Sequence, residues 1–266
     1  MRRPRPLAGC LLPGFLLLAS GCVRSDFNLA TQQQEYTLTS TAKEVETGRR
    51  LARRVEKDMT LVLDESVQQR VRDLGARLAA VSDRRELVYS FAVVDDEDLN
   101  AFSLPGGYIF VNSGLIKETA SDDELAGVLA HEIAHVAARH SVKRFESGLG
   151  LQLATLAAVA TGQGQAAHGV SVASQAAQLA YARQDELDAD RLAVKYLRAA
   201  GFDPKAMLSF LEKLQDHHRE RSHYLPRGIV RPYYALTHPY VPERIRAVKE
   251  ALYGVADYID YLNTPE

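Results

Sequence analysis

The chain has 266 residues, 46% of them hydrophobic and 25% charged, with 34 acidic side chains against 32 basic ones, 8 His, 2 Cys and no Trp. This is an ordinary globular composition with apolar material for one large domain or two small ones. A formal charge of -2 with no lysine-rich tract leaves no electrostatic footprint for nucleic acid, so no nucleic-acid partner is expected.

Residues 1–21 read as a signal peptide. Arg2, Arg3 and Arg5 precede an apolar run from Leu7 to Leu18, and Ala19-Ser20-Gly21 leads into Cys22. The run Leu18-Ala19-Ser20-Gly21-Cys22 resembles a bacterial lipobox with its leucine displaced by one position, which makes Cys22 the expected lipidation site; a simple cleaved signal or an N-terminal anchor is the alternative. Loss of residues 1–21 leaves 34 acidic side chains against 29 basic ones and a single cysteine, so the core is expected to hold without an intramolecular disulfide. Val23 stands where an aspartate would favour retention at the inner membrane, so the outer membrane is favoured over the inner. Residues 22–40 then form the lipidated N-terminus and a polar, aperiodic tether.

A domain from 41 to 255 is expected to follow. Thr41 and Glu44 have the spacing of a capping box, and Val45, Leu51, Val55 and Met59 track one helical face. A second helix is predicted over Asp64 to Ala80. Residues 87–96 read as a strand, and the Pro105-Gly106-Gly107 turn leads into a second strand at 108–112. Ser121 with Glu124 caps a helix over 122–140, along which Leu125, Val128, Leu129, Ile133 and Val136 form an apolar stripe. Residues 145–180, rich in Ala, Gly, Gln and Ser, read as a small-residue helix or, alternatively, a lid or membrane-surface contact. Asp203 and Pro204 start a helix reaching His217, a last helix runs from Pro242 to about 252, and 256–266 is a tail. His217, His218 and His223 read as a solvated surface cluster.

The chemistry sits on the capped helix, in His131-Glu132-Ile133-Ala134-His135. Histidines at i and i+4 stand on one helix face, so both imidazoles can reach one zinc ion while Glu132 points at its water. A catalytic zinc needs a third protein ligand, and Glu186 and Asp190, again i and i+4, offer two carboxylates on a downstream helix. One can ligate and the other can accept the spare imidazole N–H of a ligand. Positions 138 and 141 are Ala138 and Ser141, which removes the metzincin pattern, and on a continuing helix His140 would point about 140° away from His135. His140 is therefore expected to be a helix-end residue interacting with the dipole.

These segments together resemble the HtpX and CAAX-prenyl-protease-like zinc metallopeptidases of the gluzincin type, in particular their soluble periplasmic BepA- and LoiP-like lipoprotein branch. The resemblance covers roughly Ala42 to Leu252. It rests on Asn100-Ala101-Phe102 with Pro105-Gly106-Gly107-Tyr108-Ile109, on HEIAH, on Glu186-Leu187-Asp188-Ala189-Asp190, and on Thr237-His238-Pro239 with Glu243-Arg244-Ile245. It implies an α+β fold, a mostly helical zincin-type domain with a small β-sheet preceding the HExxH helix. It further implies one Zn2+ held by His131, His135 and Glu186, Glu132 as general base and Asp190 as partner to a ligand imidazole. It nominates His238 as a fourth ligand that keeps the enzyme latent.

The implied function is a zinc endopeptidase acting on misfolded or unassembled envelope proteins, with the outer-membrane assembly machinery a candidate partner. Arg244, Tyr233, Tyr234 and His238 are candidate oxyanion donors. An exposed edge at the 108–112 strand would let an extended peptide add as a further strand. The alternative is a chaperone-like or adaptor lipoprotein with a plugged or structural zinc site, against which Glu132 argues because a structural site needs no base.

Overall fold

The computed structural model of the chain describes residues 24–148, 183–224, 238–239 and 241–254. The expectations for the signal, Cys22, residues 149–182, Tyr233, Tyr234, Thr237 and the tail at 256–266 lie outside them. The first described residues depart from the expectation. Where polar composition suggests an irregular tether, β1 (Arg24–Asn28) and β2 (Gln33–Thr37) pair antiparallel as a hairpin, with Arg24 opposite Thr37. Its inward residues are polar: Asn28 and Thr37 are buried, while Phe27, Leu29, Tyr36 and Leu38 are exposed. The hairpin is held by hydrogen bonds, because Glu146 accepts from the Thr37 hydroxyl and from the amides of Leu38 and Thr39.

Helix α1 (Thr41–Asp58) is capped by Ser40, one residue earlier than the capping-box spacing suggests, and Ser40 accepts from the Lys43 amide at 3.3 Å. Glu44 is thereby released from capping and turns inward, where Glu44, Gly48 and Ala52 form the buried face. Leu51, expected on that face, is exposed. Helix α2 (Glu65–Ala79) is capped by Asp64, the first residue of the helix predicted over Asp64 to Ala80, and buries Val71, Leu74 and Leu78.

Three strands follow in the order β3 (Ser90–Val94), β5 (Tyr108–Asn112), β4 (Ala101–Leu104). β3 runs parallel to β5, with Phe91 beside Ile109, and β4 runs antiparallel to it, with Phe102 beside Phe110. Consecutive buried residues Ile109, Phe110 and Val111 require cover on both faces of β5, and a central position supplies neighbours on both of its edges too. The expected open edge at 108–112 is therefore absent, and β4 forms that edge of the sheet.

The turn between β4 and β5 is clamped by α1. Gly106 has φ 80°, a left-handed conformation suited to glycine, and its amide donates to Glu44 Oε1 at 3.2 Å. Gly48 of α1 lies so close that a Cβ there would sit 1.7 Å from the Pro105 carbonyl oxygen. On an exposed helix, glycine to alanine gains about 1 kcal/mol from propensity. Here the clash reverses the sign, and Gly48→Ala is expected to lower stability by about 1–3 kcal/mol as α1 is forced off the turn. A urea titration reads this directly; a raised midpoint would refute the close packing.

After α3 (Ser113–Glu118), α4 (Asp122–Ala137) runs through the centre, followed by helical segments α5 (140–148) and α6 (183–200) and by α7 (Lys205–Tyr224) and α8 (Val241–Tyr253). All of α4 from Glu124 to Ala137 is buried, so the apolar stripe read from its sequence is only part of its contact surface. Small residues allow this: Gly127 approaches Met207 of α7 so closely that its Cβ would lie 3.2 Å from the Met207 Cα. α7 extends seven residues beyond the predicted end at His217, which pairs with Glu118 at 2.8 Å. The fold is thus α+β, with a small sheet ahead of the HExxH helix. Among the described residues no helix is long and apolar enough to cross a membrane.

Candidate metal centre

Ser121 caps α4 by accepting from the Glu124 amide at 3.2 Å, while the Glu124 carboxylate accepts from the Ala120 amide at 2.7 Å. One helical turn separates His131 from His135, and their Nε2 atoms come within 3.0 Å. Helix α6 lies alongside because Ala189, Ala193 and Leu197 are buried in the shared core. Its Glu186 places Oε2 3.4 Å from His131 Nε2 and Oε1 3.4 Å from His135 Nε2. From the segment before α8, His238 brings Nδ1 to 3.1 Å from Glu186 Oε2 and 3.4 Å from His131 Nε2. One ligand atom from each of these four residues fits within a mutual separation of 4.8 Å.

The outer contacts fix these groups. Asp190 Oδ1 lies 2.9 Å from His131 Nδ1, leaving the opposite nitrogen to face Glu186. Arg244 of α8 clamps Asp190 with two bonds, Nε to Oδ2 at 2.9 Å and Nη2 to Oδ1 at 2.8 Å, and its Nη1 lies 3.3 Å from Glu186 Oε2. Arg244, one of the four candidate oxyanion donors, is fully buried and braces the two carboxylates. Glu132 is also buried, with Oε1 3.5 Å from His238 Nε2.

Electrostatics follow from this crowding. Burial raises the Glu186 carboxyl, but His238, Arg244 and His135 outweigh it and hold the group well below the usual carboxylate range. Burial and Arg244 depress His131, yet Asp190 and Glu186 lift it to about 9. Burial lowers His135. Three imidazoles and a carboxylate are a zinc donor set, and Glu186 Oε1 is buried with no hydrogen-bond partner of its own. Such an orphaned acceptor costs about 1–3 kcal/mol unless a cation meets it, so the residues fit a metal.

The structure also corrects the reading of His140. Helix α4 ends at Ala137, and Arg139 adopts φ 58°, so the next helical segment sets off in a new direction. His140 is swung beneath His135, with their Nδ1 atoms 2.8 Å apart, instead of lying on a continued helix. Burial, reinforced by the positive charges around it, keeps the His140 imidazole well below its ordinary pKa.

Residues 65–252 match the family described as Peptidase family M48. The chain belongs to peptidase family M48. M48 enzymes are zinc metallopeptidases, and His131, Glu132, His135 and Glu186 all lie within the matched region. The chain is similar to the beta-barrel assembly-enhancing protease of Yersinia pestis, 31% identical over 236 residues, which cover 83% of this chain and 47% of that protein. The protein of the same name from Escherichia coli strain K12 is 30% identical over 217 residues, 77% of this chain and 43% of the other. A mitochondrial metalloendopeptidase of Schizosaccharomyces pombe is 33% identical over 178 residues, 66% and 50% of the respective chains. The chain thus spans about half the length of the curated M48 relatives it matches.

Proposed function

We propose that the chain is a zinc-dependent endopeptidase that hydrolyses peptide bonds in misfolded or unassembled cell-envelope proteins. The observation that carries this reading is the convergence of His131, His135 and Glu186 on one point with the buried carboxylate of Glu132 beside them. Zinc bound there would supply Lewis acidity and would lower the pKa of a water toward about 7. His131, His135 and Glu186 would hold the ion, and Asp190 with Arg244 keeps the His131 ring and Glu186 in place. Glu132 takes the proton from the attacking water onto its carboxylate and returns it to the leaving amine. An extended peptide adds along β4, the strand at the sheet edge, whose Ala101 carbonyl lies 3.3 Å from His238 Nε2. Backbone-directed binding of that kind suits unfolded substrates. The name of the Yersinia and Escherichia relatives, beta-barrel assembly-enhancing protease, supports envelope substrates, and the outer-membrane assembly machinery is the partner proposed with them.

The lipobox-like sequence at Cys22 supports a lipid anchor on the periplasmic side, with the outer membrane favoured. Latency through His238 belongs to the same reading, and what supports it is that His238 Nδ1 lies 3.1 Å from Glu186 Oε2 and 3.4 Å from His131 Nε2, within the group of residues that could hold an ion. The test is zinc content and casein cleavage by the purified chain, with Glu132→Gln as inactive control. Zinc near one per chain and cleavage by the wild type would support the proposal; bound zinc with no cleavage by the wild type or by His238→Ala would favour an adaptor. His238→Ala is expected to keep zinc and to raise cleavage about tenfold, the effect of removing a contact that favours the closed state by about 1.4 kcal/mol. A fall in cleavage would make His238 part of the catalytic apparatus instead.

A further inference from the structure

The two histidine ligands are supported differently. His131 has a carboxylate behind it, Asp190, itself clamped by Arg244. Behind His135 the corresponding place is taken by another imidazole, with His135 Nδ1 and His140 Nδ1 2.8 Å apart. Two ring nitrogens at that distance share one proton: one donates and the other must offer a lone pair.

We infer that His140 is a positioning residue that selects the metal-binding tautomer of His135 and fixes its ring, a role that rests on the zinc reading of the site. His135 faces His131 and Glu186 through Nε2. Ligation requires a lone pair on Nε2, so the His135 proton sits on Nδ1 and is donated to His140 Nδ1. His140, accepting at Nδ1, then carries its own proton on Nε2, which points at Asp185 Oδ1 3.5 Å away. At that distance the contact is an electrostatic preference and not a strong hydrogen bond, but a carboxylate favours an N–H over a lone pair. Asp185 is itself held by Arg144, whose Nε donates to Oδ2 at 3.1 Å. The chain of contacts runs from the metal site through His135, His140 and Asp185 to Arg144 near the surface.

The backbone is arranged for this. A regular continuation of α4 would turn His140 about 140° from His135. The left-handed Arg139 redirects the chain, and Arg139 is secured by donating through Nη2 to the Thr39 carbonyl at 2.6 Å. Nothing in local propensity favours that conformation for arginine, so tertiary contacts impose it.

The test measures the zinc dissociation constant of the full-length chain by competition with a chromophoric chelator, beside thermal unfolding of the metal-free form. His140→Phe keeps a ring and removes the acceptor; it is expected to weaken zinc about 10- to 100-fold, the usual effect of losing such an outer partner. His140→Asn places an amide oxygen near the Nδ1 position and is expected to recover affinity to within about threefold of wild type, well inside that 10- to 100-fold loss. The absorption bands of the Co2+-substituted protein should shift in the Phe variant and return toward wild type in the Asn variant. Wild-type affinity in both variants would overturn the inference. So would equal losses in both that track a fall in metal-free stability, the signature of a merely structural residue. If the wild type itself fails to bind zinc, the metal reading falls, which this outcome alone reports.

Discussion

Glu132→Gln should lower the rate of peptide cleavage by about 10²- to 10⁴-fold, the contribution expected of a general base, while zinc remains bound. Glutamine has the size and shape of the side chain it replaces, so packing of the buried position is preserved. What it lacks is a lone pair basic enough to take the proton of the attacking water. In the native site burial raises the Glu132 carboxyl, and His238, His135 and His131 more than offset this, leaving it below its ordinary range. The group is therefore ionised at neutral pH and ready to accept a proton. The measurements are a turnover rate at saturating substrate and metal analysis of the same sample. Unchanged turnover would remove Glu132 from the mechanism, and loss of zinc would show that its charge also supports the metal.

Glu44→Ala should destabilise the fold by about 3–5 kcal/mol, the loss expected when one partner of a buried ionic cluster is removed. Glu44 is 1% exposed and Arg84 7%. Its Oε1 accepts from Arg84 Nη1 at 2.8 Å and from the Gly106 amide at 3.2 Å, and its Oε2 lies 3.2 Å from Arg139 Nε, an ion-pair approach outside hydrogen-bond geometry. Burial depresses the Arg84 guanidinium and Glu44 outweighs it, so the arginine stays charged in the native state. Alanine leaves two cations and a turn amide facing a hole. In thermal unfolding the loss corresponds to roughly 10 °C for a domain of this size. Exposed Glu46, two residues along, serves as the comparison, with Glu46→Ala expected to unfold at the wild-type midpoint. A loss below about 1 kcal/mol for Glu44→Ala would mean that the cluster is not the clamp described here.

Both predictions concern groups that the sequence exposed to very different degrees. HEIAH announces itself because metal ligation needs a fixed spacing on one helix, and the caps at Ser121 and Asp64 are local chemistry that survives without tertiary context. Glu44 did not stand out as a core residue, because a charged side chain three positions after a threonine reads as a cap. The hairpin at 24–37 was hidden because its pattern is inverted: polar Asn28 and Thr37 face inward and the large apolar residues face out. A period-2 search for a buried apolar face has nothing to find there. β5 reads from sequence as an edge strand, since a run of apolar residues carries no statement about which neighbours pair with it. His140 reads from sequence as a helix-end residue on helical geometry that holds only if the helix continues. The single left-handed residue, Arg139, leaves no mark in the sequence.

His238 makes one contact whose meaning extends past the metal. While Nδ1 faces Glu186, Nε2 sits 3.3 Å from the Ala101 carbonyl, on the strand proposed to receive substrate. A peptide pairing there would need the same carbonyl for its own amide, so under the proposed latency the imidazole would compete for a rung of the ladder as well as for the ion. Substrate binding and histidine withdrawal then become a single linked equilibrium, and the apparent affinity for peptide is the intrinsic one scaled by the fraction of molecules with the ring withdrawn. If about 10% are open, the apparent dissociation constant is about tenfold weaker than that of the open form. Reciprocity requires that any peptide long enough to pair at Ala101 should also displace the imidazole. Extended chains would thus favour the form able to cut them, whereas folded proteins with no free strand to offer would leave the histidine where it is.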